Sequence, residues 1–72
     1  MKRTPVSSSS LRAVGYDEAA SILEVEFVDG GVYEYSNVPA KEYTSLMAAS
    51  SIGSYFATHI KKGGYSCRRL SR

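Results

Sequence analysis

His59 is the chain's one histidine and Cys67 its one cysteine, so nucleophilic chemistry would have to bring these two side chains together. An imidazole can activate a thiol as a nucleophile, and the pair would meet if the last strand lay beside the second helix. The surrounding pattern argues otherwise. His59 falls on the apolar stripe of a helix near its end, and a lone cysteine more often packs as a small apolar residue. One histidine and one cysteine also fall short of the ligand set of a usual metal site. Glu24, Glu26 and Glu34 share one sheet face, but nothing around them suggests the burial that raises a carboxyl pKa for acid–base work. They read as a solvated face. Gly30-Gly31 and Gly63-Gly64 are turn pairs without phosphate-loop spacing. The expectation is a domain that is not an enzyme and holds no metal and no small-molecule cofactor.

Binding chemistry is better represented. Residues 1–42 carry four Lys/Arg against seven Asp/Glu, whereas residues 43–72 carry five Lys/Arg and no acid. Such asymmetry points to a basic surface and an anionic partner, although cations at a helix C-terminus and in a tail serve solubility as well. Lys61, Lys62, Arg68, Arg69 and Arg72 could contact phosphates, which supply most non-specific affinity for nucleic acid. Tyr65, Tyr55, and Tyr33 or Tyr35 if exposed, could stack on bases, each worth about 1–3 kcal/mol. The glutamates of the sheet would repel phosphate, so this face would comprise the end of the second helix and the last strand. The alternative is a protein-interaction or accessory module of a bacterial or phage system, with an exposed sheet edge adding a partner strand. The partners in view are RNA or another protein.

The elements that must position these residues follow from periodicity. Leu11, Ala13 and Gly15 alternate with Arg12, Val14 and Tyr16, a first strand. Leu23, Val25 and Phe27 alternate with Glu24 and Glu26, the clearest strand. Asp29-Gly30-Gly31 then leads into Val32-Tyr33-Glu34-Tyr35, which is a hairpin pattern. A three-residue loop over Asp29–Gly31, with Gly31 left-handed, sets Val28 against Val32, Phe27 against Tyr33 and Val25 against Tyr35, tyrosines in the core. A two-residue Asp29-Gly30 turn would move them to the wet face, because a one-residue slip exchanges faces. The three-residue loop is preferred, since burying a large apolar side chain contributes about 1.5–3 kcal/mol.

Pro39 suits the first position of a helix, with Val38 held extended outside it. Tyr43, Leu46, Met47 and Ser50 form its stripe. Ser50 or Ser51 caps a second helix with stripe Ile52, Phe56, His59 and Ile60, Tyr55 alongside. Lys61 and Lys62 suit its dipole and Gly63-Gly64 ends it. Tyr65 to Leu70 reads as a short last strand with Arg68 and Arg69 on opposite faces. The fold class is therefore α+β: a small antiparallel sheet of three N-terminal strands plus a short C-terminal strand, packed with two helices.

Residues 1–6 read as a flexible N-terminal tail and 7–72 as a single domain. With 72 residues the chain buries only about 60% of its unfolded surface, so its core must be small. At 43% hydrophobic and 22% charged it does not have the composition of a disordered chain. A single cysteine rules out an internal disulfide and suits a reducing cytoplasm. Basic residues at the start have no apolar run behind them, unlike a signal peptide, and no stretch approaches the roughly 20 apolar residues that span a bilayer, so no membrane partner is expected.

Several pieces stand in order: the serine run, the strand ending Val14-Gly15-Tyr16-Asp17, then Leu23-Glu24-Val25-Glu26-Phe27, a glycine turn and Val32-Tyr33-Glu34-Tyr35. Val38-Pro39, Ala49-Ser50-Ser51-Ile52-Gly53-Ser54-Tyr55-Phe56 and a final Tyr65 with Arg68 and Arg69 follow. Together they resemble the KTSC domain, which occurs at the C-terminus of some lysyl-tRNA synthetases and as stand-alone bacterial or phage proteins. The resemblance covers roughly residues 6 to 70, with Tyr33 and Tyr35 at the family's tyrosine-x-tyrosine motif. It implies no catalytic residues, and its link to a tRNA synthetase suggests RNA by association only. Gly63-Gly64 lengthens the link before Tyr65, and Cys67 stands where a bulkier or polar residue is expected.

Overall fold

The alternating segments are strands in the computed structural model, which describes residues 3–71. These are β1 (Thr4–Pro5), β2 (Leu11–Asp17), β3 (Ile22–Phe27), β4 (Val32–Tyr35) and β5 (Cys67–Ser71). They form one antiparallel sheet in chain order, β1 at one edge and β5 at the other. Between β4 and β5 come α1 (Ala40–Ala48) and α2 (Ile52–Tyr55), the latter running on as a π-helical stretch, Phe56–Lys61. The α+β architecture with two helices is as expected, but the sheet has one strand more.

That extra strand is β1. The segment expected to be a tail pairs instead: Thr4 lies opposite Val14 and Pro5 opposite Ala13. The Val6 N–H donates to the Arg12 carbonyl at 3.1 Å, and the Arg3 guanidinium forms an ion pair with Glu24. A proline is tolerated there because an edge strand need not donate on its outer side.

Cross-strand pairing settles the faces. Val14 opposes Val25, Tyr16 opposes Leu23, Val25 opposes Tyr33 and Leu23 opposes Tyr35. The tyrosines therefore share the face of the β3 apolar residues, as the preferred loop implied. Their partners differ, however, because the loop is framed one residue earlier. The Phe27 N–H donates to the Gly31 carbonyl at 2.8 Å and the Gly30 N–H to the Phe27 carbonyl at 2.9 Å. The loop is thus Val28–Gly30, and Gly30, not Gly31, is left-handed, φ 98°. The Asp29 carboxylate accepts from the Gly31 N–H at 2.9 Å, holding this frame. Moving a loop of unchanged length by one position shifts the register by two residues, which preserves every face. In β2 the alternation breaks at a bulge between Leu11 and Ala13. Arg12 is the additional residue, so Leu11 joins Val14 and Tyr16 on the inner face, while Ala13 and Gly15 face outward with the glutamates.

The core is Leu11, Val14, Leu23, Val25, Tyr35, Val38, Leu46, Phe56 and Ile60, all buried. Helix α1 begins one residue later than expected, with Pro39 extended at its N-cap (ψ 150°). Leu46 is its buried residue, and Tyr43 stacks on Tyr16 at 5.0 Å between centroids. The Tyr16 hydroxyl donates to the Val38 carbonyl at 2.6 Å, tying the approach of the helix to the sheet. Helix α2 is capped by Ser51, whose side chain accepts from the Ser54 N–H at 3.4 Å.

Along the π-helical stretch Phe56 and Ile60 are buried, but His59 is exposed and stacks on Tyr55 with 4.2 Å between centroids. Its expected place on the apolar stripe is lost because a π turn holds more residues per rotation. Four positions beyond Phe56 stays in phase, and three falls away.

Candidate nucleic-acid interface

Tyr33 and Tyr35 reach the helix-covered face through their register with Val25 and Leu23, and β5 extends the row. Arg69 lies opposite Tyr33 and Cys67 opposite Tyr35. Arg68, one residue out of phase, lies opposite Glu34 on the other face and bonds its carboxylate at 3.0 Å. A bulge in the β4–β5 pairing between Val32 and Tyr33 leaves Leu70 exposed at 41%.

The last turn of the helix brings in the remaining residues. The Gly63 N–H donates to the Ile60 carbonyl at 3.2 Å. A Cβ on Gly63 would lie 2.3 Å from the His59 carbonyl oxygen and 3.0 Å from Tyr65 Cε2. Only glycine lets the chain fold so tightly over the helix end, and that fold carries Tyr65 back toward the sheet.

The result is an open cleft of about 430 Å³ lined by Phe27, Asp29, Tyr33, Tyr35, Lys61, Tyr65 and Cys67. Its aromatic wall is built from edge-on ring contacts. Phe27 meets Tyr33 edge-on at 5.5 Å and Phe56 at 5.5 Å, and Tyr35 meets Phe56 at 5.6 Å. The Arg69 guanidinium lies over the Tyr33 ring, 5.4 Å from its centroid, at cation–π distance. Tyr35 is core and Tyr33 half-buried, so one tyrosine of the pair anchors and the other is presented.

Two phenols in this region have raised pKa values. Burial raises the Tyr35 pKa well above the ordinary tyrosine value, reinforced by its hydrogen bond with the Cys67 side chain and by the nearby charges of Cys67 and Tyr33. Burial also raises the Tyr65 pKa, with Glu42 and Tyr55 adding to it.

The cleft thus unites Tyr33, Tyr35, Lys61 and Tyr65 from the residues singled out in the sequence, with Arg69 against its Tyr33 wall. Lys62 follows Lys61 at the exposed helix end, Arg68 is on the far face, and Arg72 lies outside the described residues. Phe27, Asp29 and Cys67 are cleft residues that sequence reasoning missed. Phe27 and Cys67 are a matter of register, and Asp29 joins because the hairpin turn lies at the end of the same row. Cys67, expected to pack as a small apolar residue, is exposed.

Elsewhere the molecule differs. His59 lines a separate shallow recess with Tyr55 and Thr58, so it and Cys67 do not share a cleft. Among the described residues no group of three or more His, Cys, Asp or Glu could hold a metal ion, and no helix is long and apolar enough to cross a membrane. The outer sheet face carries Glu24 paired across strands with Glu34. Arg3 bonds Glu24 and lies 3.7 Å from Glu26, and Arg68 closes the opposite end. The serines form a second cleft, of about 390 Å³, where Ser7–Ser10 meet Ser50, Ser51 and Ser54.

The KTSC domain family model matches residues 7–65, most of the chain. The chain belongs to the KTSC domain family. Its structure is similar to the crystal structure of a KTSC domain protein from Yersinia pestis, with a TM-score of 0.91, 38% identity and 97% of each chain covered. An uncharacterized protein of Stutzerimonas stutzeri (strain A1501) is 43% identical over 70 residues, 97% of this chain and 99% of the relative. A Tsukamurella paurometabola protein is 43% identical over 57 residues, 79% of this chain and 85% of the relative. The family match includes the tyrosine pair, Lys61 and Tyr65 of this KTSC domain and leaves β5 outside it. The Arg69–Tyr33 contact is therefore a feature that β5 adds to the matched core.

Proposed function

We propose that this KTSC domain is a non-catalytic, cytoplasmic module that binds RNA or single-stranded DNA in the cleft between the end of the π-helical stretch and strands β3 to β5. The observation that carries the reading is the joining of Tyr33, Tyr65 and Lys61 in one concave site, with the Arg69 guanidinium over the Tyr33 ring. Splayed bases stack on aromatic rings and on guanidinium planes, and lysines hold the backbone as point charges. A duplex keeps its bases stacked inside and would need a protruding element to reach them, whereas this site is a recess. On the outer face Glu24, Glu26 and Glu34 already pair with Arg3 and Arg68, so those charges satisfy one another there. A protein-docking reading has less support, because Val28 and Leu70 are the exposed large hydrophobics among the described residues.

The test is fluorescence anisotropy with labelled single-stranded RNA, tRNA and DNA across a salt series. Binding should weaken as salt rises. It should drop about 5- to 150-fold in Tyr65→Ala, the equivalent of about 1–3 kcal/mol of stacking, and further in Lys61→Ala with Arg69→Ala. No binding at low micromolar protein in low salt would overturn the reading. Loss in Arg68→Ala equal to that in Arg69→Ala would move the site to the sheet edge.

A further inference from the structure

We infer that Asp29 makes the cleft selective for an unpaired base carrying an exocyclic amino group, and this rests on the nucleic-acid reading above. Asp29 is the one carboxylate among the cleft-lining residues and Lys61 the one cation. An anion in a site for a polyanion needs a role that outweighs the repulsion it causes. Part of that role is local, since one carboxylate oxygen accepts from the Gly31 N–H at 2.9 Å. That bond leaves the second oxygen, and lone pairs on both, for another donor.

Three groups converge on one point. A Cβ built on Gly31 would stand 3.3 Å from Asp29 Oδ1, 3.4 Å from Tyr33 Cε1 and 3.7 Å from Arg69 Nη2. The carboxylate, the edge of the Tyr33 ring and the guanidinium lying over that ring are thus neighbours beside Gly31, where the hairpin turn borders the cleft. A base stacked on the Tyr33–Arg69 pair would present its edge to Asp29. The carboxylate repels phosphate from this corner, so the backbone leaves toward Lys61.

A carboxylate is acceptor-only, so it favours an edge rich in N–H donors. Cytosine offers its N4 amino group, the pairing carboxylates make with that base. Adenine and guanine offer amino groups as well. Uracil offers one ring N–H flanked by two carbonyl oxygens, which repel a carboxylate. The space beside Gly31 is already bounded by these three groups, so a side chain at 31 would press on the Asp29 carboxylate and the Tyr33 ring.

The experiment compares labelled oligo(C) with oligo(U), two unstructured pyrimidine strands that differ only at the base edge. Native protein should bind oligo(C) about tenfold more tightly, a difference of the size that one hydrogen bond to a charged group provides. Asp29→Asn keeps an oxygen acceptor for the Gly31 N–H and adds an amide donor that suits the uracil carbonyl. The preference should vanish or invert in this variant, with its melting temperature close to that of the native chain. If the amide destabilises the hairpin, Asp29→Ser supplies an uncharged acceptor in its place and should likewise lose the preference. Equal binding of the two strands by native protein, or a preference that survives both substitutions, overturns the role of Asp29 while leaving the cleft as the binding site. Failure of both strands to bind removes the nucleic-acid reading and this inference with it.

Discussion

The second helix has a cleft at each end, and the two differ in what their side chains can offer. At its start, Ser7–Ser10 face Ser50, Ser51 and Ser54 across a space of about 390 Å³ with no charged or aromatic lining residue. Two of those hydroxyls are already engaged. Ser8 accepts from the Ser10 and Leu11 N–H groups at 3.2 and 3.3 Å, and Ser51 caps the helix. This cleft is a seam between two turns that use their own side chains to satisfy the backbone. At the other end the lining groups are rings, a cation and a carboxylate, held by packing and not by local hydrogen bonds alone. Rings offer faces, and charges offer direction. Similar volumes therefore carry unequal capacity for recognition.

Closing a glycine contact at each end breaks the comparison most directly. Gly63→Ala pushes a Cβ into the His59 carbonyl and should destabilise the domain by about 1–3 kcal/mol, as overpacking does, while displacing Tyr65. Urea denaturation and oligonucleotide binding measure the two effects. Gly53→Ala at the serine end meets only the Ser10 and Ser8 hydroxyls, at 3.0 and 3.1 Å. The Ser10 hydroxyl can rotate aside and the Ser8 hydroxyl, held by two N–H groups, must yield by a few tenths of an ångström, so binding should be unchanged and stability should move by about 1 kcal/mol or less. A large effect of Gly53→Ala on binding would show that the serine cleft contributes to recognition.

Blocking each cleft is the next test. A bulky maleimide on Cys67 should abolish oligonucleotide binding without changing the circular dichroism spectrum. The same reagent on a Ser9→Cys, Cys67→Ser double variant should leave binding intact. Loss in both would erase the distinction between the two ends.

Two smaller effects sharpen it. Ser51→Ala removes the cap at the polar end and should cost about 0.5–1 kcal/mol by thermal melting, with no loss of affinity per folded molecule. Tyr35→Phe probes the floor of the aromatic end. The folded-state pKa of Tyr35 is raised, so the folded state holds its proton when the unfolded chain has released it. Stability from this group is complete below about pH 10, the unfolded tyrosine value, and is lost as pH rises toward the folded pKa. The native protein should therefore lose stability above about pH 10 more steeply than Tyr35→Phe, measured by denaturation across alkaline pH.

Much of the frame was legible because periodicity is a near-neighbour property. The alternation of Leu23, Val25 and Phe27, the tyrosine spacing in β4 and the stripe of Leu46 and Met47 follow from side-chain direction along a strand or helix. Arg68 and Arg69 had to point to opposite faces for the same reason. The glutamates had to share one face, and the caps and glycine stops marked where elements end.

What only the tertiary structure decided is which of these residues meet. Arg3 reaches Glu24 because β1 adds to the sheet edge, which two residues, one of them a proline, do not announce. Leu11 turns inward because of a bulge, and His59 leaves the core because a π turn changes the helix phase. Asp29 joins Tyr33, Lys61 and Tyr65 because the loop frame, the strand register and the tight turn at Gly63 act together. Each depends on a balance of packing and hydrogen bonding between distant segments, and a chain's local pattern does not contain that balance.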